Sequence, residues 1–207
     1  MEKIIDKNNI IIDENEKLIA NIIHDIKSPL YSIKIGLQNK LDSELNKDIF
    51  ETAVDLLNYI ENFLTNYSFK KGKFETKTSF CDIKNLINKK FENYKYIFLN
   101  KNINIEMFSN ETNYIIKTIP VFISSIIGNI ISNIAMHAKE NTKASIDIYR
   151  KENSILIEFK NEYDSLESDF SMGLNFAKNL AIACKTCLKF TKTKNKVIVN
   201  VKIPSLN

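Results

Sequence analysis

Glycine is scarce, with four in 207 residues, so a site that needs the backbone to approach a ligand closely has little to be built from. Cysteine is scarce as well. Cys81 stands alone and Cys184-Lys185-Thr186-Cys187 is a single CxxC, readable as redox chemistry, as half of a zinc site, or as two small apolar residues near a helix end. An excess of one charge is missing too: 29 basic against 25 acidic residues leave +4, with the lysines scattered along the chain. A nucleic-acid partner is therefore not expected. Long apolar runs are also lacking, because the most apolar stretch, residues 121–138, is broken by Ser124, Ser125, Asn129, Ser132 and Asn133, and no membrane span is expected. The start, Met1-Glu2-Lys3-Ile4-Ile5-Asp6, has neither the basic end nor the cleavage site of a signal peptide, which points to the cytoplasm.

What is present is a globular composition, 44% hydrophobic, enough to bury a core in one large domain or two small ones. Abundant Lys, Asn and Ile read as a base-composition bias, so the pI of 8.8 says little about partners. In the first third, Leu18, Ile22, Ile26, Leu30, Ile33, Leu37 and Leu41 recur three or four apart, as do Phe50, Ala53, Leu57, Ile60, Leu64 and Tyr67. Both series mark amphipathic helices. With a polar turn at Asp42 to Asp48, the pair reads as an antiparallel hairpin over residues 10–70, after an extension of residues 1–9. One hairpin buries its apolar face poorly, and pairing with a second copy into a four-helix bundle solves that, so a homodimer is expected.

Residues 71–79, with Gly72 and several polar groups, read as a linker. Beyond it, over residues 80–207, the pattern changes to an α/β sandwich, a mixed sheet covered on one face by helices. Asp82 suits the cap of a helix to about Leu99, and Ile103 to Phe108 and Tyr114 to Thr118 read as strands. Pro120 suits the first turn of a helix through Ala138. Ala144 to Tyr149 and Ile155 to Lys160 read as strands, Gly173 to Cys184 as a helix, and Cys187 to Thr191 and Val197 to Ile203 as strands. The fold class is thus α+β, a helical hairpin followed by the sandwich.

His24 lies two residues from both Ile22 and Ile26, which at about 100° per residue turns it off the apolar seam. Ser28, Tyr31 and Ile35 continue its stripe. On spacing alone this is an ordinary surface histidine. The local string, His24-Asp25-Ile26-Lys27-Ser28-Pro29-Leu30, resembles the phosphoacceptor box of bacterial histidine kinases, in which an acidic residue follows the histidine and Pro-Leu comes five positions on. Imidazole is a nucleophile that is partly neutral near pH 7, and a neighbouring carboxylate can orient its other nitrogen. The resemblance gives Asp25 that part and gives Ser28 the placing of a water that attacks a partner's phosphoaspartate. Pro29 is expected to disturb the helix.

The stretch Gly128-Asn129-Ile130-Ile131-Ser132-Asn133-Ile134-Ala135-Met136-His137-Ala138 resembles the same family's N box. In that resemblance Asn133 falls on the magnesium-binding asparagine, while both Asn129 and Asn133 are equally readable as caps of neighbouring backbone. The glycine motifs depart from the family pattern. In Lys160-Asn161-Glu162-Tyr163-Asp164-Ser165, Asn161 replaces an aspartate and Tyr163 and Ser165 replace glycines. In Ser171-Met172-Gly173-Leu174-Asn175-Phe176 only Gly173 of three glycines remains. Met136 stands where a phosphate-contacting Lys or Arg is common, and residues 162–170 leave little chain for a nucleotide lid.

The resemblance therefore implies a two-component signalling protein that acts on a response regulator without ATP. The chain is expected to carry no cofactor of its own, the Mg2+ being the regulator's. Phosphatase action through Ser28 is the leading reading, and phosphotransfer through His24 the next. An autokinase with a divergent pocket and a non-enzymatic scaffold remain open. Tyr31 and Ile35 are the expected docking residues for the receiver domain, or else dimer-core residues if the bundle is rotated.

Overall fold

The computed structural model describes residues 23, 26–37, 40, 43–70, 77–163 and 172–206, and they fall into two compact units, Met1–Glu61 and Asn62–Asn207. Residues 26–37 form helix α1. Helix α2, Glu44–Lys70, starts in the first unit and ends in the second.

α2 begins earlier than the polar composition of residues 42–48 suggests. The Ser43 hydroxyl accepts the Asn46 N–H at 3.2 Å and its carbonyl accepts that of Lys47. A serine N-cap with Glu44 in the first turn is a strong helix start, so Asp48 lies inside the helix rather than in a turn. The α2 seam is buried at Phe50, Ala53, Val54 and Leu57. The α1 stripe is not: Ile26 and Ile33 are exposed, Leu30 and Leu37 only half-buried. α1 also reads as continuous helix through Pro29, where the ring removes one backbone donor without ending the helix.

The second unit is built around α4, Pro120–His137, which opens with proline at its first turn. By length and composition it is apolar enough to cross a membrane. Here it is the central core helix, burying Phe122, Ile123, Ile126, Ile127, Ile130, Ile131 and Ile134, each burial stabilising by roughly 1.5–3 kcal/mol. α3, Ile83–Asn100, and α5, Met172–Ala183, lie against it.

A five-stranded sheet is ordered β2 (Asn104–Ser109), β4 (Lys143–Lys151), β5 (Ser154–Glu162), β7 (Lys196–Pro204), β6 (Cys187–Lys192). β2 runs parallel to β4 and the other pairs are antiparallel. One face is apolar, with Ala144, Ile146, Ile148, Ile155, Ile157, Phe159, Val199 and Val201 buried. On the other face Lys160 is ion-paired with Asp147 and Glu158. Among the described residues β6 is an outer strand of the sheet, with Lys189 and Lys192 exposed.

The mixed sheet and the helix order match the sequence reading, with one addition. A separate two-stranded sheet pairs β1, Ser79–Asp82, with β3, Ile115–Thr118, so Ser79, placed in the linker by its composition, is already in a strand. Asp82 joins these parts, its carboxylate accepting from the backbone N–H groups of Lys84, Asn85 and Tyr114. The buried Tyr114 hydroxyl accepts the Asn110 and Glu111 N–H groups and donates to the Ile148 carbonyl at 2.8 Å. That pins the β2–β3 connection to the sheet.

Candidate functional site

The phosphoacceptor-like face is on α1. His24 and Asp25 lie outside the described residues. Ser28 is exposed, one turn before Tyr31 and two before Ile35, and the backbone carbonyl of Ser28 accepts the Ser32 hydroxyl at 3.1 Å. Tyr31 is 41% and Ile35 67% exposed, so large apolar groups stand in water along this helix.

Tyr31 also holds a polar contact. Its hydroxyl donates to Glu61 Oε1 of α2 at 3.4 Å, and Lys27 Nζ reaches the same oxygen at 3.4 Å. The ammonium sits 5.9 Å from the Tyr31 ring centroid. Burial, and then the charge and hydrogen bond of Glu61, raise the phenol's pKa above its usual 10.0. Burial lowers the Lys34 amine, with Glu61 partly offsetting it. Pairs this exposed contribute less than about 1 kcal/mol, so the cluster orients side chains more than it stabilises the helices.

The nucleotide-like positions gather on α4 and the end of β5. Asn129 is 5% exposed and forms a reciprocal amide pair with Asn62 of α2, itself 7% exposed. Each side chain donates to the other at 2.6 Å. Asn129 Nδ2 also donates to the Ser125 carbonyl at 2.8 Å, and the Ser125 hydroxyl donates to Asn62 Oδ1 at 3.1 Å. Both N–H donors of Asn129 are thus engaged within the protein. Asn133 Nδ2 donates to the Asn129 carbonyl at 2.7 Å, the backbone-capping arrangement that the four-residue spacing allows. Met136 is half-buried, and its carbonyl accepts Lys101 Nζ at 2.8 Å, a cation at the helix C-terminus where the macrodipole favours one.

At the end of β5, buried Asn161 donates from Nδ2 to the Glu162 carbonyl at 3.0 Å. The Lys139 N–H donates to that same carbonyl at 2.9 Å. Tyr163 bridges to Ala138, just past α4. Its N–H donates to the Asn195 carbonyl at 3.2 Å and its hydroxyl to the Thr193 carbonyl at 2.6 Å. Lys192 Nζ lies 4.8 Å from its ring centroid. At 7% exposure, the tyrosine is part of the local packing where a glycine would leave room. Gly173 is helical, the second residue of α5, whereas Ser165 and Ser171 lie outside the described residues.

Asn62 and Ser125 were not legible as site residues. Asn62 lies off the α2 seam and its partner is 67 residues away, so nothing in its neighbourhood marks it as buried. The CxxC resolves structurally. Cys184 is buried, its thiol pushed up by burial and donating to the Leu180 carbonyl at 3.1 Å, while Cys187 is exposed at the start of β6. A protonated, buried thiol is poorly suited to redox exchange.

No family model matches the sequence, and no curated protein matches it. Solved structures do. The Acinetobacter baumannii histidine kinase AdeS is similar with a TM-score of 0.63 at 14% identity, over 87% of this chain and 95% of that one. Histidine kinase ThkA, solved in complex with the response regulator protein TrrA, is similar with a TM-score of 0.59 at 14% identity, over 93% of this chain and 61% of that one. Full-length ShkA, solved in complex with AMPPNP, is similar with a TM-score of 0.62 at 14% identity, over 91% and 45%. The chain has the α/β fold of histidine-kinase catalytic segments.

Proposed function

We propose that this chain is a two-component signalling protein of the histidine-kinase type, acting on the phosphoaspartate of a receiver domain without ATP, as a phosphatase. The observation that carries the reading is the contrast between fold and site. The described residues have the α/β fold of histidine-kinase catalytic segments, while Tyr163 and Asn161, at motif positions for adenine, are tied into backbone at Thr193, Asn195 and Glu162. These residues do not fit a nucleotide. Tyrosine fills the space that glycine leaves for a ligand, and Asn129 has both N–H donors engaged.

The receiver as partner is supported by the ThkA complex with its response regulator and by the exposed Ser28–Tyr31–Ile35 stripe. In this mechanism Tyr31 and Ile35 seat the receiver, and the Ser28 hydroxyl holds a water in line with the phosphoaspartate. The receiver's own Mg2+ neutralises charge on the phosphoryl oxygens. Exposure of Ile26, Ile33, Leu45, Ile49, Leu56 and Tyr59 on the two helices supports a hairpin paired with a second copy in a four-helix bundle. Phosphotransfer is the second reading, with His24 as nucleophile and Asp25 orienting it.

The test is the lifetime of phosphate on a purified phosphorylated receiver. The phosphatase predicts a shorter lifetime with the protein present, lengthened again on the order of 10²-fold by Ser28→Ala and only partly by His24→Ala. A label that moves onto the protein and is abolished by His24→Ala establishes the relay instead. Low-micromolar binding of ATP with magnesium by calorimetry overturns the ATP-independent reading.

A further inference from the structure

Among the described residues the five-stranded sheet has two outer strands, β6 and β2, and they are finished differently. β6 carries exposed Lys189 and Lys192, charges that keep another strand away. β2, Asn104–Ser109, has neither lysine nor proline. Its one charge, Glu106, is neutralised by Lys143 Nζ at 2.6 Å. Phe108 stands 55% exposed, and its ring and that of Tyr149 line an open groove with Asp147, Met107 and Asn110.

The outer edge of β2 has a definite pattern. The Asn104 N–H donates to the Thr142 carbonyl at 3.0 Å, towards β4. Backbone groups turn to alternate sides along a strand, so Glu106 and Phe108 also bond towards β4. Ile105, Met107 and Ser109 turn their N–H and C=O groups outward, and no described strand takes them.

A second copy of β2 fits that row. Laid antiparallel about a two-fold axis at Met107, the strands pair Ile105 with Ser109 and Met107 with Met107, which engages every outward group of both copies. Moving the axis to Glu106 opposes like carboxylates and sets Ser109 against Ile103, whose N–H is already given to Phe98. Moving it to Phe108 sets Ile105 against Glu111, beyond the strand. With the axis at Met107, Glu106 lies opposite the other copy's Phe108, and the Lys143 ammonium that Glu106 holds meets an exposed ring. No like charges face each other across the pairing.

We propose that β2 is a self-recognition edge, through which two copies join their sheets antiparallel into one continuous sheet. The contact uses the second unit alone and goes beyond the receiver chemistry proposed above. Chains paired through their hairpins as well would have two self-complementary contacts, which link dimers into larger assemblies.

The experiment is disulfide trapping on the full chain in a Cys187→Ser background. Directly opposed Cα atoms of an antiparallel pair lie about 4.5–5.5 Å apart, a span that a disulfide bridges, and residues two further along lie beyond it. Glu106→Cys protein mixed with Phe108→Cys protein should cross-link at least about tenfold faster than either alone, with the 106–108 bridge identified by mass spectrometry. Met107→Pro removes an outward N–H and leaves the β4 ladder whole. Carried by both proteins, it should slow trapping about tenfold through the two lost hydrogen bonds, with the circular dichroism unchanged. Self-cross-linking of either single variant as fast as the mixture overturns the register, and undiminished trapping by a folded proline variant overturns the backbone pairing. No cross-link in any sample, the outcome if β2 takes another protein's strand, overturns self-recognition. The mixed and unmixed samples decide the matter even where the proline variant unfolds, and no receiver or nucleotide enters them.

Discussion

α1 and the ATPase-like unit use their side chains in opposite ways. α1 presents Ser28, Tyr31 and Ile35 to solvent and buries little of its own apolar stripe. The second unit buries its isoleucines on α4 and uses Asn129, Asn161 and Tyr163, at ligand positions of the resembled motifs, to bond its own chain. A core imposes packing whatever the domain does, so the apolar spacing of α4 is required by the fold alone. Glycines needed only for close approach of a ligand carry no such requirement, and a tyrosine placed there finds carbonyls to bond.

The largest expected effect tests the packing side of this contrast. Phe122→Ala in the centre of α4, a fully buried ring, should destabilise the second unit by about 3–5 kcal/mol in chemical denaturation. Ile35→Ala, two-thirds exposed, should cost less than about 0.5 kcal/mol. Similar losses from the two would erase the distinction.

Next comes the tyrosine at the glycine position. Tyr163→Gly should cost about 3 kcal/mol through the lost ring and the freed Thr193 carbonyl, without ATP binding being gained in calorimetry. Tyr163→Phe should cost about 1 kcal/mol. Tight ATP binding by the glycine variant would show that the nucleotide site is closed by one side chain rather than unmade.

Asn129→Ala should cost about 1–3 kcal/mol because it strands the buried Asn62 amide. Asn62→Ala/Asn129→Ala should cost less than the sum of the single changes, as thermal unfolding of all four proteins would show.

The smallest effect is on α1. The Tyr31 pKa is raised in the folded chain, so its contribution to stability is fully present below the unfolded value of 10.0 and is lost as pH rises through the raised one. Glu61→Gln should bring the phenol only part of the way back, because burial is the larger cause. Tyrosine-ring NMR across alkaline pH gives both values.

Much of this fold could be read from local chemistry. Asp82 and Pro120 announced the starts of α3 and α4 because a cap and a first-turn proline act within a turn of where they sit. The alternating strands were legible for the same reason. β1 was not, since Ser79 to Asp82 is four residues long and is made a strand only by pairing with Ile115–Thr118. The departures at Asn161, Tyr163 and Met136 were visible one by one, but their engagement was not. A hydroxyl bonded to a carbonyl 30 residues on, or an amide answering one 67 residues back, exists only once the chain has folded.

β6 has a further consequence, for colloidal behaviour rather than for signalling. An outer strand offers backbone donors and acceptors to any strand that arrives, including the same strand of another molecule. Exposed Lys189 and Lys192 set like charges against like at such a meeting, so repulsion acts before a ladder can form. That protection is ionic. At about 1 M salt the screening length falls to about 3 Å, and sheet-to-sheet ribbons should then appear in light scattering while the fold itself is still intact.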